Sequence, residues 1–270
     1  AARRLPADRA TALSRAGVFR MLVPRNLGGL ELPPALAMQM LEQLGAADAS
    51  VGWCAMIGAT SAIPSAYLEP AVAREIYGNP ETIPGGVYAP MGRAVLEGDY
   101  YRLSGRWQWA SGSANCHWLM GGALVLQEGK PRLLPDGRPD LRMLLFPAQR
   151  AQLIDSWHVA GLSGTGSGEM EVTDLMVPAN HSVSLAADRP REAGPLYLFP
   201  VFGLLAMGIA AVMLGNAGAA LADLVTLAAG KTPQGGRKTL ADRSQAQIEL
   251  AKAEADLRAA KAFFYRAIDT

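Results

Sequence analysis

Apolar and polar positions along the chain follow two different periods, and the change between them divides it into three regions. Residues 1–84 carry apolar side chains at helical spacing. A short amphipathic helix is predicted from Asp8 to Ala16, closed by Gly17 as a left-handed cap. Pro33 and Pro34 open a second helix over ALAMQMLEQLGAAD, and Asp48 is placed to cap a third over VGWCAMIGATSAI. A fourth runs from Pro70 to Tyr77, ended by Gly78. Over residues 85–190 the period shortens. GGVYAP, RAVLEGDYYRLSG, HWLMGGALVLQ, LRMLLFP, AQLIDSWHV and GEMEVTDLMVP are short strand-like runs broken by Gly, Asp and Pro. They predict an antiparallel barrel or sandwich without βαβ alternation. Residues 191–270 return to helix. The run from Pro200 to Gly230 is apolar almost all round; Asn216 and Asp223 interrupt it, so a buried central helix is expected rather than a membrane span. A last helix carries Leu250, Ala253, Leu257, Ala260, Phe264 and Ala267 as its apolar seam, with Lys252, Glu254, Asp256, Arg258 and Lys261 expected outside it. The fold class is therefore α+β multidomain: an N-terminal helical domain (1–84), a central β domain (85–190) and a partial C-terminal helical bundle (191–270).

Composition narrows the functional classes. Half of the 270 residues are hydrophobic and 18% are charged, enough for a large core. A net charge of +1 provides no global attraction to nucleic acid or to an acidic membrane surface. Two cysteines, Cys54 and Cys116, with no C-x-x-C, suit a reducing cytoplasm and predict a cytoplasmic protein. The chain starts without Met in a helical pattern and stops at Thr270 in another, which predicts a portion of a longer protein.

The three histidines, His117, His158 and His181, show no metal-ligand spacing, so no metal site is expected. GLSGTGSG (161–168) lacks the Lys-Ser/Thr ending of a phosphate loop and runs into a strand. Two segments remain that join tryptophan to hydroxyls and glycines: GRWQWASGSANCHW (105–118) and DSWHVAGLSGTGS (155–167). Each alone reads as core tryptophan plus turns. Together they supply an apolar wall and a polar edge suited to a flat redox-active ring.

On these segments the chain resembles the acyl-CoA dehydrogenase superfamily. Trp109-Ala110-Ser111-Gly112 is similar to the family's Trp-x-Thr/Ser segment, and residues 155–178 resemble its later W-x-x-x-G-x-x-x-T-x-S stretch. Within that superfamily RLSGRWQWASGSANCHW, ADASVGWCAMIGAT and YAPMGRAV resemble the two-component flavin-dependent monooxygenases. The resemblance implies the oxygenase component of such a system. It would take reduced FMN or FAD from a separate reductase and use O2 to hydroxylate a small aromatic substrate, as a homotetramer. It implies Ser111 as the catalytic hydroxyl beside flavin N5, with Tyr88, Trp109, Trp157, Thr165 and Ser167 around the flavin. It places Lys231 and Arg237, with Lys238, near its phosphate, and Thr60 and Ser61 near the substrate, where related enzymes often carry a His. An acyl-CoA dehydrogenase and a non-catalytic flavin-binding protein are the alternatives.

Overall fold

The computed structural model describes residues 3–269; positions 1, 2 and 270 of the outer regions lie outside it. Four helices come first: α1 (Ala7–Arg15), α2 (Pro34–Ala47), α3 (Ala49–Thr60) and α4 (Pro70–Tyr77). Their ends follow local chemistry. Gly17 takes φ 81° after α1, Pro34 is in the first turn of α2, and the Asp48 carboxylate accepts from the Ser50 and Val51 amides at the start of α3.

Strands follow: β1 (Pro84–Glu97), β2 (Tyr100–Trp107), β3 (Trp118–Gln127), β4 (Lys130–Pro131), β5 (Leu141–Pro147), β6 (Gln152–Ile154), β7 (Glu169–Pro178) and β8 (Ser182–Val183). They form one sheet in the order β6-β7-β2-β1-β3-β5-β8, with β4 on β3. Pairing is antiparallel except between β1 and β3, which run parallel from Pro84↔Trp118 onward. The reason lies in the route of the chain. β2 returns beside β1, and residues 108–117 then cross to the other side of β1, so β3 begins in β1's direction. That crossing carries Trp109–Gly112.

The sheet's core is built around Trp107, which has no exposed surface and donates its indole N–H to the Gly122 carbonyl at 2.8 Å. A Cβ on Gly92, Gly105 or Gly121 would fall 2.4–2.6 Å from its ring. Three strands thus leave a slot for one tryptophan. The strand expected over AQLIDSWHV stops at Ile154. There the Ser156 amide folds back to the Ile154 carbonyl, and Arg3 binds both the Asp155 carboxylate and the Trp157 carbonyl.

The C-terminal region is α5 (Pro195–Leu198), α6 (Val201–Gly230) and α7 (Ser244–Ile268). α6 crosses α2 at backbone contact: a Cβ on Gly215 would lie 2.0 Å from the Glu42 carbonyl, and one on Gly45 2.4 Å from the Val212 carbonyl. By length and composition α6 could cross a membrane. It is less buried in this chain than its sequence leads one to expect. Leu204, Gly208, Ala211, Val212 and Gly215 are covered, while Phe202, Val225 and Leu227 are more than half exposed. The seam of α7 is also rotated from the expected one. Ala253 and Ala260 face solvent, and Lys261 lies inward with Leu257 and Phe264. The cause is Glu42 on α2, a largely buried carboxylate that needs partners; Lys261 Nζ (2.6 Å) and the Tyr265 hydroxyl (2.5 Å) supply them.

Candidate functional site

The crossing segment 108–117 folds onto the loop before β7 through backbone hydrogen bonds. Ala110 N–H donates to the Gly168 carbonyl and Gly112 N–H to the Thr165 carbonyl, each at 2.9 Å. α3 closes the third side. Its Cys54 thiol approaches the Thr165 carbonyl at 3.8 Å, and its Trp53 indole donates to the Ser111 hydroxyl at 3.0 Å. Two motifs distant in the sequence therefore meet at one place, against a helix from the N-terminal region.

Ser111, Thr165 and Ser167 form a continuous buried set. Ser111 Oγ is 2.6 Å from Ser167 Oγ, and Ser167 Oγ is 2.6 Å from Thr165 Oγ1. Thr165 donates to the Leu162 carbonyl at 2.8 Å, which also receives the Trp157 indole N–H at 3.0 Å. All three hydroxyl residues are at most 5% exposed. The Ser111 hydroxyl is thus buried, with the Trp53 indole N–H on one of its two acceptor positions.

Trp109 differs in every respect from Trp107 two residues earlier. It is 60% exposed and its backbone is left-handed, φ 61°. Leu162 on the facing loop is left-handed too, φ 54°. Such conformations cost a non-glycine residue about 1–3 kcal/mol, persist only where the surroundings hold them, and are enriched at ligand sites. Open hollows of about 400 Å³ (Arg3, Ser113, Asp155, Gly166, Gly168) and about 470 Å³ (Met91, Arg106, Gln108, Glu169) flank the turn.

The remaining expected residues divide. Tyr88 is half-buried, donates to the Thr60 carbonyl at 2.7 Å and lines a mostly apolar cavity of about 160 Å³ with Met143, Leu185 and Phe202. Burial keeps its phenol well above the ordinary value, hence neutral. Thr60 and Ser61 lie next to Tyr88, but both are closed off. Thr60 is 1% exposed with its hydroxyl turned back to the Met56 carbonyl at 2.8 Å, and Ser61 is 2% exposed. Lys231 and Arg237 are not brought to Ser111 within this chain. Among the described residues their loop bonds to itself and to α6, through Leu240 N–H to Lys231 and Ala241 N–H to Ala228. It also follows about 15 residues of α6 beyond Gly215, roughly 22 Å of helix. His158 and His117 are exposed; His117 Nδ1 accepts from the Ile83 amide. Cys54 and Cys116 have thiols pushed up to about 12 by burial, which favours their neutral form. Trp53 escaped the sequence reading. VGWCAMIGAT reads as a wholly apolar helix, and only the indole N–H hints at a polar partner.

This fold, helices before and after a β region carrying a strained Trp-x-Ser turn, is that of the acyl-CoA dehydrogenase-like flavoproteins. The acyl-CoA dehydrogenase C-terminal domain family matches residues 207–270. An indole-3-acetate monooxygenase from Pseudomonas putida is 35% identical over 99% of this chain and 67% of its own length. The oxygenase subunit HsaA of a Mycobacterium tuberculosis flavin-dependent monooxygenase is 31% identical over 96% of this chain and 66% of its own. Among solved structures, the HsaA monooxygenase of that organism superposes with TM-score 0.85 at 30% identity, covering 99% of this chain and 69% of that one. XiaF from a Streptomyces species, solved with FADH2 and glycerol, gives TM-score 0.86 at 25% identity over 99% and 68%. The chain belongs to the flavin-dependent monooxygenases of the oxygenase-component type. It spans about two thirds of the length of these relatives.

Proposed function

We propose that the protein is the oxygenase component of a two-component monooxygenase that takes reduced flavin from a separate reductase and hydroxylates a small aromatic substrate with O2. The observation that carries the reading is the Trp109–Ser111 turn: an exposed aromatic face on strained backbone, directly above a buried hydroxyl set, with Trp157 on the facing loop. These residues fit a flavin. Trp109 and Trp157 wall the ring, and Ser111, which has lone-pair capacity left, meets its polar edge. Bound reduced flavin supplies the electrons and the reaction with O2.

The chain's own residues do the rest. Trp53 and the hydroxyl set close the space under the turn, keeping water from the ring edge. The cavity beside Tyr88, with Phe202 and Met143, has the size and mostly apolar lining of a site for one small aromatic ring, and the neutral Tyr88 phenol and Arg142 are its polar side chains. The phosphate is assigned to Lys231 and Arg237 of a neighbouring copy in a homotetramer. The exposed apolar flank of α6 and Phe263 of α7, 78% exposed, support that assembly. A cytoplasmic location is part of the same reading.

The test supplies chemically reduced FMN or FAD, O2 and a panel of phenols and indoles, with product analysis by mass spectrometry. Hydroxylated product supports the reading. Prompt reduction of bound flavin by an acyl-CoA transfers it to the dehydrogenase alternative, and hydrogen peroxide alone across the panel to a non-catalytic flavin binder.

A further inference from the structure

The hydroxyl set has a direction that can be worked out by counting protons. A hydroxyl donates once and accepts up to twice; an indole N–H only donates; a carbonyl only accepts. At one end lies the Leu162 carbonyl, 2.8 Å from Thr165 Oγ1. Two oxygens at that distance repel unless a proton lies between them, and only Thr165 can provide it. Thr165 has then no proton for Ser167, so the 2.6 Å contact between them is Ser167 donating to Thr165. The 2.6 Å contact between Ser111 and Ser167 is by the same count Ser111 donating to Ser167. Its other acceptor, the Trp109 carbonyl at 3.4 Å, is a much poorer one and equally internal. At the far end the Trp53 indole donates into Ser111 at 3.0 Å, in agreement with the same order. The protons run one way, from Trp53 through Ser111, Ser167 and Thr165 to the Leu162 carbonyl.

Ser111 therefore enters the site with its proton committed inward. It can accept one further hydrogen bond and can give none. The two redox forms of a flavin differ at the atom that would meet it: N5 carries a hydrogen in the reduced ring and a bare lone pair in the oxidised one. An N–H facing Ser111 forms a hydrogen bond, whereas a lone pair facing a lone pair repels. On the reading of the site given above, we infer that Thr165 is a positioning residue. By pinning the chain of hydroxyls to the Leu162 carbonyl it makes Ser111 an obligate acceptor, and so selects reduced over oxidised flavin. Trp53 occupies one acceptor position of Ser111 and is compatible with this order without imposing it.

Replacing Thr165 with Val keeps shape and removes the anchor. Ser167 then turns its proton toward Ser111, Ser111 is free to donate outward, and N5 of the oxidised ring gains a donor. The experiment measures dissociation constants of FMN and FAD, each oxidised and reduced, by anaerobic titration of the full-length protein. The midpoint potential of the bound flavin is an independent readout. The wild type binds the reduced form more tightly. Thr165→Val lowers the oxidised-to-reduced ratio of dissociation constants about tenfold, equivalent to lowering the bound flavin's potential by about 30 mV for a two-electron couple. Thr165→Ser restores both, and Ser167→Ala, which breaks the chain one link nearer Ser111, shifts them as Thr165→Val does. Trp53→Phe retains the preference. A ratio unchanged in both Thr165→Val and Ser167→Ala, or affinity lost equally for both redox forms, overturns the inference and leaves the flavin site standing. A wild type that binds neither flavin form overturns the reading of the site and the inference with it.

Discussion

Trp107 and Trp109 are two residues apart and show opposite physics. Trp107 closes a strand, has no exposed surface, satisfies its N–H on the Gly122 carbonyl and fills a slot cut by three glycines. Trp109 starts a turn, is 60% exposed and sits on left-handed backbone. The first is held by packing and would be recovered by any sequence that fills the slot. The second gains little for the fold, yet its strain is held in place by the hydrogen bonds on both sides of it, Ala110 to Gly168 and Gly112 to Thr165. One tryptophan stabilises the scaffold, and the other is what the scaffold presents.

The largest effect expected from breaking this contrast is on stability at Trp107. Trp107→Ala leaves a cavity and an orphaned carbonyl, and should cost about 3–5 kcal/mol, read as a lowered urea midpoint. At Trp109 the same truncation should leave stability within about 1 kcal/mol of wild type, since little surface is buried there, while weakening flavin binding at least tenfold by titration. Equal losses of stability at the two positions would erase the distinction. A smaller effect, about 1 kcal/mol, is expected for Asp48→Ala. It removes the cap that sets the start of α3 and hence the approach of Trp53, so a slightly lowered melting temperature should accompany weaker flavin binding.

The Trp109–Ser111 motif was legible in the sequence, whereas the way the fold assembles the site around it was not. Ser111, Thr165 and Ser167 could be picked out because hydroxyls beside glycines and tryptophans are an unusual expense in a turn. Periodicity carries no information on sheet order, so the parallel β1–β3 pair, and the crossing that brings the two motifs together, could not be read. Trp53 was invisible for a related reason: its helix is apolar on all sides, and its one polar act is toward a residue 58 positions away. Lys231 and Arg237 were chosen for their charge and for the family resemblance, and neither specifies distance within one chain. The α7 seam was misread because a buried carboxylate on another helix, Glu42, set its rotation.

The smallest predicted effect concerns pH. Cys54 has its thiol pushed up to about 12 in the fold from its ordinary value of 9.0, by burial first and by Asp48 second. A raised thiol favours the neutral form in the folded state. Its stabilising contribution is therefore complete below about pH 9 and is lost as pH rises from there toward 12. Urea midpoints should fall between pH 8.5 and pH 10.5, approximate bounds for that window, and fall less in Cys54→Ala. An identical fall in both proteins would assign the loss to other groups.

The account rests on the Trp109–Ser111 turn being where reduced flavin binds, and a crystal structure of the protein grown anaerobically with reduced FMN tests that most directly. The account predicts the ring stacked between Trp109 and Trp157, with N5 within about 3.2 Å of Ser111 Oγ and the Thr165 hydroxyl still on the Leu162 carbonyl. Flavin density elsewhere, with Trp109 still open to solvent, would contradict it.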